Sequence, residues 1–461
     1  MSSRVTVERR AFADAPPGRV VVIHTDTLDL RRVTMPSARR AREAAHVLAA
    51  VTGESSATLA LPAATLSARH APSELRRHGD ERYLTLRAAL AAWALRTGPA
   101  ALTADRVASA TGRYLRALRS RGAIGTAEWR VDDRPAARVV PVAGLAPLRH
   151  LGQAGSRALT VNSHFFLFDP RELDAPTAAL GESVGLLAYA GRIANPPVLP
   201  RTALLHTCGG WRVARPGLDD LLIDLPGGLT LEAGAPRGAR VRFRGDGRTD
   251  AAAPCAVEVC LQGASASVLR DGGGVRVPHG ALAIGFDTEL PSDVRTALEA
   301  GARVRYRLPR WRELRVALQG GPLLVRAGDV AVDGDSLRLE RFETLGSTDP
   351  TAPLVFPADH DRTRAARVGI GVQRDGSLVL VVVEGRSSLS RSEGDTPTGC
   401  TLLELAGLLR DHGAVDALNL DGGGSAQVFR GGGAIVGSSD TRGVPGARFD
   451  RPVPVAMLAG A

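Results

Sequence analysis

Six consecutive residues, Leu378 to Val383, read Leu-Val-Leu-Val-Val-Val, and a strand-like run from Arg367 to Arg374 precedes them, with Asp375-Gly376 in the join. A short apolar, largely β-branched run bounded by a turn dipeptide is a strand buried on both faces. Asp-Gly between two such runs is the strongest short-range hairpin signal. With a two-residue turn, Gln373 faces Leu378 and, counting outward, Arg367 faces Glu384. One face of the first strand then carries Gly369 and Gly371, and the other carries Val368, Ile370 and Val372. A hairpin this apolar must lie at the centre of a sheet covered on both sides.

The residues that follow supply part of that cover. Thr401-Leu-Leu-Glu404 is a capping box, Leu402, Leu405, Leu408 and Leu409 form one stripe of a helix, and Gly413 closes it. Val415 to Asp421 then reads as a second strand, so strand, helix and strand make a βαβ unit whose two strands run parallel in one sheet. Both end at the same edge, where Arg367, Glu384, Asn419 and Asp421 can meet. Next comes Gly422-Gly423-Gly424-Ser425. Consecutive glycines let backbone approach a ligand and turn several N–H groups toward one point, a nest suited to phosphate. A tight turn is the plainer reading of the same glycines.

The rest of the chain is read more coarsely. From about Arg157, short runs separated by Gly, Pro and Asp indicate strands at Ala239 to Phe243, Ala256 to Gln262, Gly280 to Phe286 and Ala302 to Arg307. Toward the amino terminus, Gly18 to Val33 reads as a strand, and helical periodicity runs over Ser37 to Thr52 and Asp80 to Gly122. Thr103 to Gly122 with a hairpin over Glu128 to Pro141 faintly suggests a winged helix-turn-helix, although Gly112 to Gly122 is short for a recognition helix. The expected fold class is α+β: a mixed β-sheet domain over 151–461 with a βαβ unit near the carboxyl end, and a strand plus helical subdomain over 1–150.

Composition narrows the function classes. The formal charge is +10 over 461 residues, and all 58 basic residues are arginine, spread along the chain rather than gathered. The pattern favours anionic ligands over a nucleic-acid surface. No apolar run approaches the ~20 residues of a membrane span, and the three arginines of Met1 to Arg10 are followed by no leader-like apolar segment, so the sequence as written reads as cytoplasmic, or secreted if the start lies elsewhere. Cys208, Cys255, Cys260 and Cys400 form no CxxC pair and read as reduced core thiols. Carboxylates at the rim suit calcium or magnesium, but no loop has EF-hand spacing and no metal is assigned.

These motifs resemble the phosphodiester glycosidase family. The resemblance rests on Asn419-Leu-Asp-Gly-Gly-Gly-Ser425, with Arg367-Val-Gly-Ile-Gly371, Glu384-Gly-Arg386, the helix start Gly399 to Ala406, Ser439-Asp440 and Arg451-Pro-Val453 around it. Val161-Asn-Ser-His-Phe-Phe166 and Gly320-Gly-Pro-Leu323 extend it upstream. The chain departs from the family's pattern in having Glu384 for an aspartate, Ser163 for a glycine, and Val436-Gly-Ser438 before the serine-aspartate pair. The resemblance implies hydrolysis of the bond between an anomeric carbon and a phosphodiester oxygen. It implies Asp421 as the leading catalytic carboxylate and Glu384 as its partner or a sugar ligand. Arg367 and the backbone of Gly422, Gly423 and Gly424 would bind phosphate, while Asn162, His164 and Asn419 would position the sugar or water. Ser425, Asp440 and Arg451 complete the set. Duller roles compete: an Arg367–Glu384 cross-strand ion pair, a core histidine at 164, and a structural cap by Arg451. The rival functions are a non-catalytic phosphoglycan-binding module and an intracellular tailoring enzyme acting on a sugar-phosphate metabolite.

Overall fold

The structure is a computed structural model that describes residues 4–12, 15–32, 148, 158–166, 183–233, 241–244, 256–263, 265–270, 280–299, 302–342, 359–385, 399–439, 451 and 453–459. The chain divides into two units, residues 1–33, 147–165 and 183–461 forming one and 34–146 with 166–182 the other. All elements below belong to the first. The helices read over 37–52 and 80–122 and the hairpin read over 128–141 lie outside the described residues.

The apolar hairpin does sit at the centre of a sheet. Seven strands follow the order Arg4–Phe12, Ala15–Thr25, Leu378–Val383, Arg367–Gln373, Ala414–Asn419, Leu323–Arg326 and Asp329–Val330. The expected hairpin register is off by one. Val372 faces Leu378 and Arg367 faces Val383, not Glu384. Gln373 accepts from the N–H of Gly376 (3.0 Å) and donates to Ser377 O (2.8 Å), so the loop is Arg374-Asp375-Gly376, three residues long. Gly376 at φ +84° provides the left-handed residue that such a loop needs.

The helix Leu402–Asp411 opens with the Thr401/Glu404 capping box, as expected. The strand after it, Ala414–Asn419, runs parallel to Leu378–Val383 in the same sheet, but Arg367–Gln373 lies between them. Every neighbouring pair in this sheet is therefore antiparallel, and the sheet is not mixed. The crossover passes over one strand because the hairpin partner already occupies the adjacent position. Gly369 explains why the helix can lie so close: a side-chain carbon there would sit 2.7 Å from Leu409 Cδ1.

The face bearing Val368, Ile370, Leu378, Leu380 and Leu418 packs against two five-stranded sheets in one continuous core. One of these contains Leu159–Asn162, Val428–Arg430 and Val455–Ala459, with Leu28–Arg32 at its edge. Residues 4–32 are thus built into the sheets of the carboxyl-terminal region, pairing with Leu378–Val383 and Val455–Ala459. A boundary at 150 does not separate them. A second core joins a four-stranded sheet containing Val241–Arg244, Val257–Gln262 and Leu282–Phe286 to the helix Ser292–Glu299. With the short helix Gly334–Leu339, the described residues hold three α-helices among many strands, an α+β composition that is mostly sheet. No described helix is long and apolar enough to cross a membrane. Cys260 and Cys400 are buried as expected, whereas Cys208 is exposed in the turn between two strands.

Candidate active site

The strand Ala414–Asn419 ends where the core ends. Leu420 still points into the core, and its N–H donates to Val368 O at 2.8 Å. Asp421 is the first residue past it, half-buried, with its N–H on Ser163 O at 3.1 Å. Its carboxyl accepts from Ser425 and from the N–H of Gly422, and Arg451 attracts its charge, yet loss of solvent outweighs all three and raises it to about 7. A carboxyl that titrates near neutrality can exchange a proton with substrate or water.

The glycine turn is less of a nest than its sequence suggests. The N–H of Gly422 serves the Asp421 carboxyl, that of Gly423 donates to Ala366 O at 2.7 Å, and that of Ser425 donates to Gly422 O at 3.0 Å. Its glycines answer close approaches instead. A side-chain carbon on Gly422 would lie 2.6 Å from Ala366 O, and one on Gly424 would lie 2.5 Å from Arg451 Cζ, so the guanidinium packs directly on the turn. Ser438 Oγ donates to Gly424 O and ties the turn down.

Two of the other expected residues serve the frame of this site. Asn162 is fully buried, donating from Nδ2 to Asp421 O at 2.6 Å and accepting at Oδ1 from the N–H of Gln427 at 3.0 Å. His164 is also buried, with Nδ1 2.8 Å from Phe165 O and Nε2 3.1 Å from Leu186 O, and burial lowers its proton affinity. These placements match the core-histidine reading.

Asn419 is different. Its Nδ2 donates to Gly321 O at 2.9 Å, while Oδ1 is buried and has no partner among the described residues. The Gly320-Gly321-Pro322 element docks here, with Gly321 N–H on Asn419 O (2.8 Å) and Asn419 N–H on Pro322 O (3.0 Å). Gly320 lies so close to Asn419 O that no side chain fits. An unpaired buried acceptor costs on the order of 1–3 kcal/mol and calls for a functional explanation.

Arg367 is half-buried and donates to Cys400 O (3.3 Å) and Thr363 O (2.9 Å), and burial lowers its proton affinity. Glu384 is buried at the end of its strand, its N–H on Arg19 O at 2.9 Å. Asp440 lies outside the described residues. Among described residues, Asp359, His360 and Asp361 form the one group whose ligand atoms lie within 4.8 Å of one another. Asp359 Oδ1 there accepts from the N–H groups of Asp361 and Arg362, as a turn acceptor does. Sequence reading missed Gln427, a buried residue between Ala426 and Val428 whose main-chain N–H donates to Asn162 and whose side-chain amide donates to the Arg451 carbonyl. The signal was available: a glutamine wedged among apolar residues directly after the motif.

A β-rich α+β domain thus gathers a carboxyl, a guanidinium and a glycine turn at one rim of its central sheet. Residues 268–459 match the phosphodiester glycosidase family, and the resemblance carried by the motifs is shown for this carboxyl-terminal region. No curated protein matches the chain. Among solved structures, a hypothetical protein from Synechocystis is 16% identical at a TM-score of 0.45, the match covering 99% of this chain and 62% of that one. The catalytic domain of zebrafish N-acetylglucosamine-1-phosphodiester alpha-N-acetylglucosaminidase, auto-inhibited by its pro-peptide, is 19% identical at a TM-score of 0.23. That match covers 60% of this chain and 88% of the zebrafish domain.

Proposed function

We propose that the protein is a hydrolase that cleaves the glycosidic bond of a sugar-1-phosphodiester, with Asp421 as general base. The observation that carries this reading is the Asp421 carboxyl, raised to about 7, beside the Arg451 guanidinium on the family's glycine motif. A phosphate ester leaves as a weakly basic anion and needs little protonation, so the demand falls on the attacking water and on charge stabilisation. Ionised Asp421 takes a proton from water. The water oxygen bonds to the anomeric carbon, the bond from that carbon to the phosphate oxygen breaks, and the phosphate monoester departs with its electron pair.

Arg451 is the guanidinium we assign to the phosphate, since it lies on the turn and acts electrically on Asp421. Asn419 Oδ1 is the acceptor offered to a sugar hydroxyl or to the water. Arg367 braces the loops at Cys400 and Thr363, and Glu384 remains a candidate second carboxylate. The test is release of free sugar from a panel of sugar-1-phosphodiesters, including UDP-N-acetylglucosamine, by wild type and Asp421→Asn, with and without chelator. Release that vanishes in Asp421→Asn supports the hydrolase and identifies its sugar. A folded protein that binds panel members yet releases nothing overturns it in favour of a phosphoglycan-binding module.

A further inference from the structure

Gln427 is fully buried immediately before the strand Val428–Arg430, between the buried Ala426 and Val428 in the chain. Its main-chain N–H donates to Asn162 Oδ1 at 3.0 Å. Its side-chain Nε2 donates to Arg451 O at 3.0 Å and to Ser425 O at 3.3 Å. Two carbonyl oxygens at one end of the amide fix which end is nitrogen, because only that end can donate. The other end, Oε1, is buried with no partner among the described residues, so the orientation is kept at the expense of an unpaired acceptor.

The contacts form a closed frame. Asn162 grips Asp421 through its carbonyl and Gln427 through its N–H; Gln427 grips Ser425 and Arg451 through their carbonyls; and Ser425 returns a hydrogen bond to the Asp421 carboxyl. The segment bearing Arg451 is distinct in sequence from the glycine turn, and the Gln427 bond to Arg451 O fixes the main chain from which the guanidinium reaches Gly424. We propose that Gln427 is a positioning residue that sets the spacing between the Arg451 guanidinium and the Asp421 carboxyl. This deepens the reading of Asp421 as the base and rests on it for its link to catalysis.

A residue that merely stabilised the fold would leave the titration of native Asp421 unchanged. A spacer between cation and carboxyl would not. Ser425, the Gly422 N–H and Arg451 face that carboxyl among the described groups, and Arg451 supplies the only charge acting on it there. Moving Arg451 away removes an attraction that favours the anion, so the carboxyl must titrate at higher pH.

The experiment follows the carboxyl carbon of Asp421 by NMR in protein labelled with 13C-aspartate, the signal being identified by its loss in Asp421→Asn. Wild type, Gln427→Leu, Gln427→Met and Arg451→Met are titrated, and sugar release is recorded across the same pH range. Both Gln427 variants should move the Asp421 titration upward, toward that of Arg451→Met, and the rising limb of activity should move with it. Methionine follows the shape of glutamine and keeps the test open should leucine fail to fold. An unchanged titration in a folded Gln427 variant, alongside a shifted Arg451→Met, overturns the proposal. A shifted titration in a protein that releases no sugar upholds the positioning role and discards the hydrolase.

Discussion

Asn162 Nδ2 donates to the main-chain oxygen of Asp421 at 2.6 Å, joining residues 259 apart in sequence. The same side chain receives the N–H of Gln427. One amide therefore bridges both ends of the turn that carries the carboxyl, and it does so from a neighbouring sheet. Asn162→Leu keeps the volume and strands a part-buried carbonyl and a buried N–H. Losing about 2–4 kcal/mol of stability in urea unfolding is the expected result. Turnover should fall while ligand affinity changes little, because Asn162 offers both polar atoms to the protein and none to a substrate. A pure rise in KM would instead make it a sugar ligand.

Two adjacent glycines give opposite expectations. Gly423 has φ +54° and open space around it, so Gly423→Ala costs only backbone strain, about 1 kcal/mol, and spares activity. Gly424 has ordinary backbone but meets Arg451 Cζ at 2.5 Å, and Gly424→Ala must displace the guanidinium. The displaced group ends a flexible side chain, so folding survives while phosphate loses its cation. Thermal melts and kcat/KM for the two variants separate these effects: Gly424→Ala should melt near wild type and lose at least tenfold in kcat/KM.

The pH behaviour of Asp421 has a definite sign. A base acts when ionised, so kcat/KM should rise with pH through about 7, the free-enzyme titration of this carboxyl. Stability moves the other way. The unfolded chain releases this proton near 3.8 and the native chain keeps it to about 7, so native stability declines as pH rises between those values. Asp421→Asn should remove that decline and gain about 2–4 kcal/mol at pH 8 in urea unfolding, with little gain near pH 4. A stabilised, inactive variant is the signature of a carboxyl kept ionisable for chemistry.

Much of this site was legible because its constraints are local. The apolar hairpin, the capping box at Thr401, the parallel return of Ala414–Asn419 and the glycine face beneath the helix all follow from patterns within one 55-residue stretch, Arg367 to Asp421. The register error arose where a single hydrogen bond decided the outcome. The Gln373–Ser377 pair makes the loop three residues long, and that one-residue slip takes Arg367 away from Glu384. The uses of Asn162 and Gln427 were hidden for another reason. Their partners lie hundreds of residues away or on backbone atoms, and neither periodicity nor motif spacing encodes a contact with a carbonyl oxygen.

His164 brings the sharpest choice between frame and function. It is 1% exposed, and each ring nitrogen faces a main-chain oxygen, Phe165 O and Leu186 O. Burial holds its proton affinity below the usual 6.5, so the native state binds this proton less readily than the unfolded chain. Its contribution to stability is present above 6.5 and is lost as pH falls below it. His164→Gln should cost about 1–3 kcal/mol at pH 7.5 in urea unfolding and should flatten the loss of stability seen on going to pH 5. KM for the sugar phosphodiester should stay at the wild-type value in the folded variant. A raised KM with unchanged stability would mean instead that the imidazole leaves its two carbonyls to meet the sugar, and the histidine would return to the list of ligands.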